Sequence, residues 1–210
     1  MKATTLFLTA GMAVFSASPV VAIAADHTTP AEHGHSTINM FGGASYQGEP
    51  ALAVTAALIK AGGGAGDFNF AHALVAMLGE DTVNAEIAKL TKQYGEAEVN
   101  TFIGGMDTTI AYALQRATEA GISLPEPVDL SGVALAKTLV NAGVAPDGTF
   151  WSGYFFDHAI SHQLHNQVMA DINANVSYEA DKITHKIFNQ AMYDVAQALG
   201  MNDVKLAELH

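Results

Sequence analysis

Apolar residues fall into three regimes along this chain. From Leu6 to Ala24 they form a run without charge, diluted by Thr, Gly and Ser and interrupted by Pro19. From there to Glu49 polar and turn-forming residues dominate and no period is sustained. From Pro50 onward apolar positions recur every three to four residues, the spacing of one helix face.

The third regime predicts an all-α, single-domain bundle of about six to seven helices over 50–210. Pro50 suits the first turn of a helix that the Gly62 to Gly64 run stops near Ala61. With Asp67 as its N-cap, a second helix over Phe68 to Leu78 is apolar around most of its circumference, the pattern of a buried helix. A third covers Thr82 to Tyr94 and ends at Gly95. The fourth has the clearest period, through Val99, Phe102, Ile103, Met106, Ile110, Ala113 and Leu114, and closes at Gly121 before Pro125 and Pro127. A short helix over Ser131 to Asn141 precedes the Pro146-Asp147-Gly148 turn. Two long helices, Phe150 to Asn173 and Tyr178 to Leu199, finish the chain, with Ser177 capping the second. No strand pair is expected.

The first regime adds an address. Met1 and Lys2 ahead of the apolar run, and Ala22-Ile23-Ala24 at its end, give the cationic start, apolar middle and A-x-A site of a secretory signal peptide. Residues 1–24 are therefore read as a cleaved signal, 25–49 as a flexible His-containing arm and 50–210 as the helical domain. The expected location is periplasmic or secreted, with no stable membrane anchor after cleavage. No Cys is present, so neither a lipid-anchored export signal nor a disulfide, thiolate metal site or thiol nucleophile is available.

Charge narrows the partners. The signal holds one of the nine Lys and Arg and none of the 21 Asp and Glu, which leaves eight bases against 21 acids in the mature chain. Phosphate backbones and anionic lipid surfaces call for a basic patch, and none is visible, so nucleic acid is not an expected partner. A protein partner has no sequence signature here. The Gly62 to Gly64 run lacks the Gly-Lys-Ser/Thr ending of a phosphate loop, and Ser152, in Trp-Ser-Gly, lacks the Gly-x-Ser-x-Gly elbow of Ser hydrolases.

Histidine carries the remaining signal. His158, His162 and His165 stand at i, i+4 and i+7, within about 60° of one another on a helix. Neutral imidazole is a ligand for zinc, copper or iron, and two His one turn apart can converge on one ion. His158 and His165 are about 10.5 Å apart along the helix axis, so two of the three are expected to share an ion with a residue from elsewhere. His185 and Asp181, one turn apart on the last helix, are the expected partners if that helix returns antiparallel beside the first. Asp171 is a further carboxylate near the turn, whereas Met106, Met169 and Met192 read as packing residues.

His72, between Phe68 and Val75 on the helix expected to be buried, reads as a core imidazole or an axial ligand. Cleavage after Ala24 would make His27 the third residue behind a free amine, a square-planar chelate for Cu(II) or Ni(II). The leading expectation is an exported helical protein that binds or handles a transition metal through His158, His162, His165, His185 and Asp181. The alternatives are non-covalent haem binding, with one of His72, His158, His162, His165 or His185 as axial ligand, and a non-catalytic envelope interaction protein. No residue is singled out as a general base, so catalysis is left open.

Overall fold

The computed structural model describes residues 49–207 apart from 124–126, 128 and 161, with side chains omitted at 49–53, 157–160, 162, 163 and 165. The expected signal and all of the arm except Glu49, His27 included, lie outside the described residues.

Helices α1 (Glu49–Ala61), α2 (Phe70–Leu78), α3 (Glu80–Tyr94), α4 (Glu96–Glu119) and α5 (Gly132–Gly143) follow the sequence periods closely. Strand β1 (Thr149–Phe150) then leads into α6 (Ser152–Ile160), α7 (His162–Asn175), α8 (Tyr178–Ala198) and β2 (Lys205–Leu206). The protein is an all-α helical bundle. Among the described residues no helix is long and apolar enough to cross a membrane.

The centre of the bundle is α4, against which α8, α7 and α3 pack. Val99, Phe102, Met106, Thr109, Ile110, Ala113 and Ala117 are its buried positions, spaced three and four apart as one helix face requires. Its crossing with α8 depends on Gly105, because a Cβ there would run into the Thr184 side chain. Phe188 of α8 is the hub of an aromatic core. Phe155, Phe150, Phe156 and Phe70 have ring centroids 5.1, 5.6, 5.7 and 5.9 Å from it, mostly edge to face. Such pairs contribute beyond their buried area, so they fix the rotation of α8 about its own axis.

Three expectations are corrected. The α2 cap is Asn69 rather than Asp67: Asn69 Oδ1 accepts from the His72 N–H at 2.9 Å, while Asp107 of α4 accepts from the Phe70 N–H at 2.7 Å. A carboxylate at this helix end satisfies a free amide and complements the helix dipole. The short parallel ribbon was not expected. It pairs Thr149 with Lys205 and Phe150 with Leu206, and ties the chain after α8 to the strand that enters α6. Finally, among the described residues α7 and α8 each pack chiefly on α4 rather than forming an antiparallel pair. Among the described residues, Ser152 and Phe156 of α6 reach His185.

Candidate metal centre around His185

Ser177 opens α8 as an N-cap, its hydroxyl accepting from the Ala180 N–H at 3.2 Å. Asp181 follows in the first turn, where the helix dipole favours an acid. His185 and Asn189 come at one-turn intervals, so Asp181, His185 and Asn189 line one edge of the helix. Phe188 and Ile187 enter the core beside them. Because the aromatic hub sets the rotation of α8, this polar edge lies where core meets solvent: the Asp181 and His185 side chains are 17% and 19% exposed.

Both ring nitrogens of His185 have a polar neighbour. Ser152 Oγ is 2.6 Å from Nδ1, and Asp181 Oδ1 is 3.4 Å from Nε2. The Phe156 ring meets the imidazole edge to face at 5.8 Å, limiting its tilt. Ser152 is positioned in turn by Asn189, whose Oδ1 accepts from the Ser152 N–H at 2.7 Å. Asn189 is only 1% exposed, and its Nδ2 has no hydrogen-bond partner among the described residues.

The two contacts to His185 differ in kind. At 2.6 Å the Ser152 contact is a short hydrogen bond, whereas 3.4 Å is long for an N–H···O bond. The second distance matches another geometry: nitrogen and oxygen ligands of tetrahedral zinc, each about 2.0–2.2 Å from the ion, are about 3.4 Å apart. The hydroxyl on Nδ1 fixes the ring and leaves Nε2 facing the carboxylate across this gap.

The same three side chains also resemble a nucleophilic Ser-His-Asp set. Ser152 is 3% exposed, however, and its N–H, a natural oxyanion donor, is already bound to Asn189. The hydroxyl serves to hold the ring.

Of the residues expected from sequence, His185 and Asp181 are brought together. His158 lies on α6, and His162 and His165 on α7; their side chains, and Ser161, lie outside the described residues. Among the described residues no three His, Asp or Glu side chains converge. His72 is corrected in one respect: it is exposed on α2 rather than a core imidazole. Asp171 is engaged elsewhere, accepting from Arg116 Nε at 2.6 Å and from the second guanidinium nitrogen. Met106 and Met192 are buried packing residues, as expected, and Met169 is half-buried.

Ser152 and Asn189 were missed as site residues. The signal for Asn189 was present in the Asp-x-x-x-His-x-x-x-Asn spacing of α8, while Ser152 is 33 residues from its partner and carries no local mark. Comparisons of the chain with protein-family models, with curated proteins and with solved structures find no match. The functional reading therefore rests on the chemistry of this site.

Proposed function

We propose that this is an exported helical protein that binds a transition-metal ion. His185 Nε2 and Asp181 Oδ1 supply two ligands, and His158, His162 or His165 on the preceding helices complete the set. The observation that carries the reading is the 3.4 Å separation of the two α8 donor atoms, with the opposite ring nitrogen held by Ser152 at 2.6 Å. An imidazole and a carboxylate suit zinc, and imidazole also suits copper and iron. Export is supported by the order of the first 24 residues, a cationic start followed by an apolar run and Ala-Ile-Ala.

The test is Zn(II) calorimetry on the chain carrying His27→Ala, which removes the arm's chelate, with and without His185→Ala. Loss of a ligand should weaken binding by more than about tenfold, whereas His72→Ala should change nothing. Equal affinity with and without His185 would overturn the proposal.

A further inference from the structure

Nine residues beyond His185, Asp194 of α8 shares Lys89 of α3 with Glu86, one turn before that lysine. Lys89 Nζ contacts Asp194 Oδ2 and is 3.9 Å from Glu86 Oε2. Gln190 Nε2 donates to both Asp194 oxygens at 3.1 Å. Tyr94 stands within electrostatic reach of Asp194, with Lys186 Nζ 5.3 Å from its ring centroid, and Tyr193 stands within reach of Lys89. From α2 and α4 the surroundings are apolar: Leu74, Leu78, Phe102 and Ile103 line a cavity of about 20 Å³ that Glu86 also borders. That volume admits about one water molecule, so the cavity is not a ligand pocket. The group to explain is the carboxyl at its edge.

As an anion, Glu86 has its Oε1 buried with no donor among the described residues. If it is written as an acid, its hydroxyl donates to the Asp194 carboxylate, which Lys89 and Gln190 also hold. The second form gives the carboxyl a hydrogen-bonding role toward Asp194 that the first lacks. We propose that Glu86 and Asp194 form a proton-operated latch between α3 and α8, in which one shared proton holds α3 over the apolar layer and its loss releases α3.

The titration fits this geometry. Burial first, then the hydrogen bond to Asp194 and the Asp194 charge, raise Glu86 from 4.5 to about 7 against the opposing pull of Lys89. A carboxyl whose pKa is raised in the closed form stabilises that form fully below its ordinary value of 4.5, and the contribution is lost as pH rises through about 7. A shift of this size lowers the closed-to-open ratio by about two orders of magnitude between those limits. The latch does not depend on the metal reading, because neither carboxyl belongs to the His185 site.

Hydrogen exchange on the full chain at pH 5 and pH 8.5, with labelling times corrected for intrinsic exchange, tests it. In the wild type, α3 amides should lose up to about 100-fold in protection at the higher pH relative to α5. Glu86→Gln, which mimics the protonated acid, should abolish that difference. Equal α3 protection at both pH values in the wild type, or an undiminished loss in Glu86→Gln, would overturn the latch. A carbon-13 titration of the wild-type Glu86 carboxyl serves if the variant does not fold: a midpoint near 7 supports the latch, and one near the ordinary 4.5 rules it out.

Discussion

Ser152 Oγ lies 2.6 Å from His185 Nδ1 across the contact between α6 and α8, leaving the opposite ring nitrogen turned to Asp181. The helices supply this arrangement from unrelated constraints. Ser152 is placed by the turn out of β1 and by Asn189, and His185 by the packing of Phe188 three residues later. Neither residue has to search for the other once the aromatic core has closed.

A consequence for binding follows. Ser152→Ala removes the group that orients the imidazole but leaves both α8 donors in place. Outer-shell substitutions of this kind lower metal affinity by about 10- to 100-fold, so the variant should bind Zn(II) more weakly than wild type and more tightly than His185→Ala. Calorimetry on the three proteins gives the order; a Ser152→Ala affinity equal to wild type would detach the hydroxyl from the site.

The adjacent glycines of α4 should respond in opposite directions. A Cβ at Gly104 meets nothing within 4 Å, so Gly104→Ala should gain up to about 1 kcal/mol from helix propensity and a less flexible unfolded chain. At Gly105 the added methyl collides with Thr184, the residue before His185, and overpacking of this kind costs about 1–3 kcal/mol. Urea denaturation of the two variants should move the midpoint up for the first and down for the second. Two shifts of the same sign would contradict the α4–α8 crossing.

Acid sensitivity should arise at the α4–α7 contact. Asp171 accepts two hydrogen bonds from Arg116, and these bonds together with the guanidinium charge lower its pKa from 3.8. A carboxyl depressed in the folded state contributes stability that is present above its ordinary pKa and is lost as pH falls through the depressed value. Wild type should therefore lose stability on acidification below 3.8 more steeply than Asp171→Asn, and thermal melts between pH 5 and 2.5 would show it. Parallel curves would remove Asp171 from the acid response.

Much of the bundle was legible because its signals are local. The α4 period, the Gly62 to Gly64 stop after α1 and the Ser177 cap of α8 each depend on residues within a few positions. The errors fall where distant residues decide. Asp67 and Asn69 are both capping residues, and Asp107 of α4, which engages both Asn69 and Phe70, favours the later start. α2 is apolar around most of its circumference, so packing rather than pattern turns His72 to solvent. A short turn between two long helices suggested an antiparallel pair, yet both helices chose the same partner, α4. Asp181 and His185 were legible as a pair because one turn of helix separates them, whereas Ser152 was set aside for want of a motif it does not need.

The two nitrogens of the His185 ring have different partners, Ser152 at Nδ1 and Asp181 at Nε2. Long-range proton–nitrogen spectra of the imidazoles, recorded on the His27→Ala chain as Zn(II) is added, report each ring nitrogen of His185 separately. Nε2 should move to the shift of a metal-bound nitrogen while Nδ1 keeps its proton in the hydrogen bond to Ser152. A His185 spectrum unchanged at saturating Zn(II), or metal on Nδ1 with the Ser152 bond broken, would contradict the proposed metal site.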